Sequence, residues 1–205
     1  MRIVSGTLRG RPLATPKDDR TRPTSDRVRE AMFNILTHGI DGFGLEGARV
    51  LDLFAGTGAL GLEAISRGAQ SCLFVDDGIE PRSLIRRNIE TFGLAGQTRI
   101  YRRDATRLGS ALPREQFDLV FADPPYGKGL GELALHSAAQ GGWLVAGGLA
   151  VLEENARQTI TWPDGFSVLF ERTWGDTSVH FARWGAPAAS IEGAGVQEAA
   201  DGEGT

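Results

Sequence analysis

The stretch Leu51-Asp52-Leu53-Phe54-Ala55-Gly56-Thr57-Gly58-Ala59-Leu60-Gly61 decides the fold of this 205-residue chain. It begins in an apolar run and continues into a helix-forming segment, and the glycines between them have the spacing G-x-G-x-x-G. Glycines at this spacing let a strand turn tightly into a helix and let a ligand approach the backbone of the turn. The stretch therefore predicts the first strand, the first helix and the cofactor loop of a parallel α/β sheet.

Short apolar runs alternate with segments of helical period from Arg49 onward, which is typical of a parallel sheet covered by helices on both faces. The predicted strands are 49–53, 71–75, 98–102, 117–122, 149–153, 167–173 and 177–183. The predicted helices run from a cap at Thr24 or Ser25 to Leu36, and over 59–67, 80–92 and 130–139. Trp174-Gly175-Asp176 has the composition of a hairpin turn, so we expect a mostly parallel seven-stranded sheet that ends in an antiparallel pair.

The two ends of the chain differ in charge. Basic residues outnumber acidic ones between residues 1 and 30, whereas residues 186–205 carry acidic residues and no basic ones. We expect a basic N-terminal extension over residues 1–22, in which 3–5 and 11–14 form a β-hairpin-like pair, and a main domain over residues 23–185. The tail, residues 186–205, has too little apolar surface to offset the entropy of ordering and is expected to be disordered.

The composition excludes several classes of protein. The chain has one Cys and three scattered His, so we expect neither an internal disulfide nor a metal site. No apolar run approaches the roughly 20 residues of a membrane-spanning helix, and no signal sequence opens the chain. These features together predict a cytoplasmic protein.

A dinucleotide and S-adenosylmethionine are both candidates for the glycine turn. Asp76 ends the second predicted strand 20 residues after Gly56, a spacing that suits a carboxylate accepting hydrogen bonds from ribose hydroxyls. A charged Asp52 would repel a pyrophosphate on the helix N-terminus and attract the sulfonium and ammonium groups of S-adenosylmethionine. Asp104, just after the third strand, can accept from an adenine amino group. Charge therefore favours S-adenosylmethionine.

A second motif, Asp123-Pro124-Pro125-Tyr126, follows the fourth predicted strand. The first and fourth strands are expected neighbours, so their loops should face one pocket. The two prolines lack N–H donors, and the loop therefore presents carbonyl oxygens beside the Asp123 carboxylate. Acceptors without donors suit a substrate amino group, and Tyr126 offers an aromatic face for a planar base.

Asp123-Pro124-Pro125-Tyr126 together with Phe54-Ala55-Gly56-Thr57-Gly58 resembles the class I, S-adenosylmethionine-dependent amino methyltransferases. Two further segments narrow the resemblance to the bacterial RsmD-type 16S ribosomal RNA guanine-N2 methyltransferases. They are Arg22-Pro23-Thr24-Ser25-Asp26-Arg27-Val28-Arg29-Glu30 followed by Phe33-Asn34-Ile35-Leu36, and Gly58-Ala59-Leu60-Gly61-Leu62-Glu63-Ala64.

The resemblance implies methyl transfer to the N2 amine of a guanine in 16S ribosomal RNA, within an assembling or assembled small ribosomal subunit. It implies cofactor contacts by Asp52, Phe54, Gly56, Gly58, Asp76, Asp104 and Asp123. It implies that Asp123, Pro124 and Tyr126 act on the target base. Arg29 is expected to be solvated, with a role as partner of the cofactor carboxylate also open. The charge of the flexible extension suits a grip on RNA phosphates by Arg2, Arg9, Arg11 and Arg22.

Four alternatives stay open on the sequence. The first is a DNA or RNA adenine-N6 methyltransferase, although an enzyme that recognises a specific DNA sequence usually needs a separate recognition domain, for which the chain has no room. A protein glutamine-amide methyltransferase more typically has Asn at position 123. A nicotinamide oxidoreductase conflicts with Asp52 and with the proline motif, and a non-catalytic RNA-binding module would retain the same fold.

Overall fold

The computed structural model describes residues 1–16 and 26–185. They form one seven-stranded sheet with the strand order β3-β2-β1-β4-β5-β7-β6. The strands are β1 (Arg49–Leu53), β2 (Ser71–Val75), β3 (Thr98–Tyr101), β4 (Phe117–Ala122), β5 (Leu144–Asn155), β6 (Phe166–Trp174) and β7 (Thr177–Trp184). The helices are α1 (Asp26–His38), α2 (Ala59–Ser66), α3 (Ile79–Phe92) and α4 (Leu130–Gln140), with a short 3-10 turn at Ala105–Arg107.

The topology confirms the predicted sheet. Strands β1 to β5 pair in parallel, and β7 runs antiparallel to both β5 and β6. The largest difference is at β5, which begins at Leu144 and not at Leu149 because an irregularity in its pairing with β4 carries the strand through Gly147 and Gly148. These glycines gave the segment the composition of a turn, which is why the sequence placed the start of the strand too late.

The two faces of the sheet carry different helices. Apolar residues of α1, α2 and α3 pack on one face, and those of α4 and the 3-10 turn pack on the other. Parallel strands buried on both faces need continuous apolar runs, and β4 shows this with Phe117, Leu119, Val120, Phe121 and Ala122 all buried. The carboxyl ends of β1, β2, β4 and β5 therefore meet along one edge, which we call the active-site edge.

The N-terminal segment forms the predicted hairpin, with a bridge between Arg2 and Pro12, but the expectation that it is flexible is wrong for residues 1–16. Ile3 is fully buried and Leu13 is 6% exposed in the same core as α1 to α3. The backbone N–H groups of Val4 and Ser5 donate to the Glu63 carboxylate of α2, at 2.8 and 3.0 Å. The segment is thus part of the packed core.

Several predictions fall outside the described residues. These are the helix cap at Thr24 or Ser25, the site residue Arg22, the boundary between residues 22 and 23, and the disorder of residues 186–205. Within the described residues, no helix is both long enough and apolar enough to cross a membrane.

Candidate active site

Two loops meet at the active-site edge where β1 and β4 end side by side. Leu53 pairs with Ala122 in the parallel register, and the Asp123 N–H donates to the Leu53 carbonyl oxygen at 3.5 Å. The residues that follow are therefore neighbours: Phe54 opens the glycine loop (residues 54–58), and Asp123 opens the proline loop (residues 123–129). The sequence predicted this meeting of the two motifs, and the structure confirms it.

The glycine loop is a tight turn in which three residues have positive φ angles. Gly56 and Gly58 have positive φ angles of 57° and 78°, which glycine adopts without steric cost. Phe54 also has a positive φ, 57°, and for a side chain of this kind such a conformation costs about 1–3 kcal/mol. Residues held in this way are typical of ligand-binding turns, so the geometry fits the predicted cofactor role of the loop.

Gly58 and Gly61 serve packing beneath the loop. A Cβ atom at Gly61 would lie 2.4 Å from the Cys72 Sγ atom and 2.5 Å from Cε1 of Phe74, so α2 can approach β2 only without a side chain there. A Cβ at Gly58 would lie 3.2 Å from the same ring. A larger residue at Gly58 would therefore press on the core behind the loop, and the close approach of the cofactor to this part of the turn stays a prediction.

Asp52 lies under the loop, 1% exposed, and its Oδ2 atom accepts the Gly61 N–H at 2.9 Å. Burial raises the pKa of Asp52 to about 8, against the opposing effect of that hydrogen bond. Burial therefore opposes the charged form on which the electrostatic argument for the cofactor depends, and the hydrogen bond to Gly61 shows that Asp52 also fixes the start of α2. The contact of Asp52 with the cofactor stays a prediction.

Asp76 ties the glycine loop to the end of β2. Its Oδ2 atom accepts the Gly56 N–H at 3.0 Å and its Oδ1 atom accepts the Gly78 N–H at 2.8 Å. Burial raises the pKa of Asp76, although both hydrogen bonds oppose the shift. A carboxylate has about four lone-pair directions, so the two bonds leave acceptor capacity for ligand hydroxyls.

Asp104 follows β3 on the same edge and has a local partner. Its Oδ1 atom accepts the N–H and the hydroxyl of Thr106, and these bonds lower the pKa of Asp104. The side chain is exposed and caps the 3-10 turn. The contact between Asp104 and the adenine amino group stays a prediction. Both bonds to Thr106 use Oδ1, so Oδ2 is the oxygen that would accept from the adenine.

Asn88 of α3 is a site residue that the sequence analysis missed. It is 1% exposed, and its Nδ2 atom donates to the carbonyl oxygens of Thr57 and Ala14, at 3.0 and 3.3 Å. Its Oδ1 atom accepts the Ala14 N–H at 2.7 Å. One buried amide therefore joins the N-terminal segment to the glycine loop. The single sequence feature that could have predicted this role is the position of Asn88 among the apolar residues on one face of α3.

The proline loop is held by two carboxylates at the end of β5. The Tyr126 hydroxyl donates to Oε1 of Glu153 at 2.5 Å, and it lies 3.5 Å from the Thr177 hydroxyl. The Gly127 N–H donates to the Glu154 carboxylate at 3.0 Å. Burial and the Glu153 charge raise the pKa of the Tyr126 phenol well above its ordinary value. Glu153 and Glu154 were not predicted, because their partners Tyr126 and Gly127 lie 27 residues earlier in the chain.

Of the four predicted RNA-binding arginines, Arg22 lies outside the described residues, and Arg9 and Arg11 lie away from the active-site edge. Arg2 lies 3.6 Å from Asp26 at the start of α1. Arg9 follows Leu8 in the hairpin turn, and the Leu8 N–H donates to the Ser66 hydroxyl. Arg11 donates to the Thr91 carbonyl oxygen at 2.6 Å and covers the Phe92 ring. The turn and Arg11 therefore lie at the C-terminal ends of α2 and α3, which lead back to the opposite edge of the sheet.

Arg29 is buried, which corrects the expectation of a solvated residue. Its guanidinium is fully buried, donates to the Asp26 carboxylate at 2.8 Å and lies 3.7 Å from Glu63. It also donates to the Arg2 carbonyl oxygen. Arg29 therefore links α1, α2 and the N-terminal segment, and its predicted role toward the cofactor carboxylate stays untested.

The strand order, the glycine loop and the proline loop together define a class I methyltransferase fold. The chain matches the family described as "Conserved hypothetical protein 95" over residues 1–183. It is 36% identical over 182 residues to Ribosomal RNA small subunit methyltransferase D of Escherichia coli, with 87% of each chain covered. The protein of the same name from Haemophilus influenzae is 31% identical over 180 residues, with 87% of this chain and 91% of that one covered.

Solved structures agree with these matches. The yhhF protein of Escherichia coli superposes with a TM-score of 0.76 at 32% identity, covering 91% of this chain and 99% of that one. The Thermus thermophilus 16S rRNA N2 G1207 methyltransferase RsmC, solved with AdoMet and guanosine, shares the fold at a TM-score of 0.58 and 24% identity, covering 82% of this chain and 44% of that one. The chain belongs to the family of the ribosomal RNA small subunit methyltransferases D.

Proposed function

We propose that this protein transfers a methyl group from S-adenosylmethionine to the exocyclic N2 amine of a guanine in 16S ribosomal RNA. The observation that carries the proposal is the contact between the two loops. Asp123 directly follows the residue that pairs with Leu53, so the amine-binding acceptors adjoin the glycine loop. A methyl donor held by one loop and an amine held by the other would face each other.

The residues of the glycine loop fit the proposed cofactor. A Cβ at Gly56 would meet only the Phe54 carbonyl oxygen, at 3.8 Å, among the described residues, so the outer side of this turn is open to a ligand. The Asp76 carboxylate stands at the same turn, where ribose hydroxyls can donate to it. Because Asp52 is buried beneath the loop, the choice of cofactor rests on these groups and on family membership.

The proline loop would prepare the amine for attack. An aryl amine is a poor nucleophile because its lone pair is delocalised. The Asp123 carboxylate and the Pro124 carbonyl oxygen would accept its two hydrogens, draw the nitrogen toward tetrahedral geometry and so free the lone pair. When bound, S-adenosylmethionine supplies an electrophilic methyl group on a sulfonium.

Asp123 and Tyr126 have two further proposed roles, toward the proton that the amine loses and toward the target guanine. The amine loses one proton as the new N–C bond forms, and the Asp123 carboxylate would hold this proton or pass it to water. The Tyr126 ring would support the planar base, with its hydroxyl fixed by Glu153. A base presented in this way must leave its stack, which is how enzymes reach such amines in RNA and DNA.

Analysis of the product tests the proposal. Small-subunit RNA is incubated with the protein and methyl-labelled S-adenosylmethionine, digested to nucleosides and separated. We expect the label in N2-methylguanosine. Label in N6-methyladenosine or in protein would overturn the substrate while leaving the fold and the methyltransferase class unchanged.

A further inference from the structure

We propose that Lys128 and Arg157 form a phosphate-binding surface for the RNA strand that carries the target base. The proposal rests on the proposed function and adds to it the place where the RNA backbone is held. Lys128 lies in the proline loop, two residues after Tyr126, and Arg157 lies two residues after the end of β5.

The buried Glu154 carboxylate joins the segment that contains Lys128 to the segment that contains Arg157. Glu154 is 2% exposed, and it accepts the Gly127 N–H at 3.0 Å and the Asn155 N–H at 2.7 Å. Oδ1 of Asn155 in turn accepts the Arg157 N–H at 3.0 Å. A Cβ at Gly127 would lie 3.8 Å from the Gln158 side-chain nitrogen, so the segments 127–129 and 155–158 are in contact. Their backbones are fixed next to Asp123 and Tyr126 before any RNA arrives.

The charge on this surface is available to a ligand. Lys128 and Arg157 are exposed, and neither makes an ion pair with another residue in the parts of the chain that the structure describes. The two nearby glutamates are buried and occupied, since Glu153 accepts from Tyr126 and Glu154 from backbone amides. Asp176, whose carbonyl oxygen accepts the Ala156 N–H, is an exposed acid on the neighbouring turn.

The position of these cations distinguishes them from the arginines of the hairpin turn. A base that has left its stack remains attached to its strand, so the flanking phosphates must pass close to the entrance of the pocket. Lys128 lies in the proline loop itself and Arg157 in the segment that contacts this loop, whereas the hairpin turn with Arg9 and the side chain of Arg11 lie at the ends of α2 and α3 that lead to the opposite edge. Cations that hold phosphates there position the strand and carry no sequence information.

The test compares the double variant Lys128→Ala/Arg157→Ala with a control, Arg86→Ala/Arg87→Ala, which removes the same charge from the exposed face of α3. Methyl transfer to protein-free small-subunit RNA and to small-subunit particles is measured across salt concentrations. We expect the KM for RNA to rise about 10- to 100-fold, and the slope of log affinity against log salt to fall by about 1.4 to 1.8 for two lost phosphate contacts. Turnover at saturating RNA and affinity for S-adenosylhomocysteine should not change.

Results that differ from these expectations would overturn either the phosphate-binding surface or the proposed function. An unchanged KM in the double variant, with wild-type protein that does methylate RNA, would exclude the surface and leave the proposed function intact. An equal loss in the control would mean that net charge, not this surface, attracts RNA. A loss on particles alone would assign the surface to a ribosomal protein, against our proposal. Failure of the wild-type protein to methylate RNA would remove the proposed function itself.

Discussion

The glycine loop and the proline loop lie side by side on one sheet edge, but they are held in different ways. The glycine loop is fixed from behind, by glycines that let α2 pack on β2 and by the N-terminal segment through Asn88. The proline loop is fixed from the side, by Glu153 and Glu154 at the end of β5. The cofactor loop therefore depends on core packing and on the buried side chains of Asn88 and Asp76, whereas the substrate loop depends on Glu153 and Glu154. Because different residues support the two loops, substitutions can be aimed at each one separately.

Removal of residues 1–14 should have the largest effect, and it should act on the glycine loop. It deletes Ile3 and Leu13 from the core, each worth about 1.5–3 kcal/mol, and it takes two backbone donors from the buried Glu63 carboxylate. We expect a loss of about 5 kcal/mol or more in the free energy of unfolding, measured by denaturant titration. A shortened chain with normal stability and normal cofactor affinity would restore the sequence-based view of an independent extension.

The next prediction concerns pH and Asp52. The pKa of Asp52 is about 8 in the folded chain and near 3.8 when unfolded, so the unfolded state releases its proton first as pH rises. This group therefore contributes stability below about pH 4 that is lost progressively up to about pH 8, by at most about 1.4 kcal/mol per pH unit. Asp52→Asn keeps an acceptor for Gly61 and cannot ionise. The variant should gain stability relative to wild type from pH 4 to 8 and no further above pH 8, and a pH-independent difference would show that Asp52 titrates normally.

A single methyl group at Gly61 should also disturb the glycine loop. Gly61→Ala places a Cβ against Cys72 and Phe74, and overpacking of this kind costs about 1–3 kcal/mol. Gly96→Ala is the matched control, since a Cβ there meets no atom within 4 Å among the described residues, and it should change stability by about 0.5 kcal/mol or less. Equal effects of the two substitutions on the unfolding midpoint would contradict the packing role.

Tyr126→Phe gives the smallest expected effect and tests the proline loop. We would expect a silent substitution if the ring only stacked on a base, but the structure shows its hydroxyl donating to the buried Glu153. Loss of that donor should cost about 1–2 kcal/mol of stability and lower turnover several-fold, with cofactor affinity unchanged. Tyr101→Phe is the control, because the Tyr101 hydroxyl makes only a 3.4 Å contact with Glu115. If both variants behave like wild type, Glu153 does not position the ring.

The sequence predicted what depends on local pattern. Strand periodicity, the spacing of Gly56, Gly58 and Gly61, and the Asp-Pro-Pro-Tyr motif are each contained in a short window, and they located the sheet and both loops. It did not predict Asn88, Glu153 or Glu154, because their partners lie far along the chain: Asn88 binds Ala14 and Thr57, and Glu153 binds Tyr126. It also did not predict the raised pKa of Asp52, because the burial that causes the shift exists only in the folded chain.

The separation of the two loops is tested most directly at Asp123. Turnover with small-subunit RNA and affinity for S-adenosylhomocysteine are measured on Asp123→Ala and Asp123→Asn beside wild type. We predict that Asp123→Ala lowers kcat by about 100- to 1000-fold, as loss of a group acting in the transition state does, and leaves cofactor affinity unchanged. Residual activity in Asp123→Asn would indicate that positioning dominates, and its complete loss would favour Asp123 as the general base. Near-normal turnover in Asp123→Ala, or a fall in cofactor affinity as large as the fall in kcat, would contradict the account.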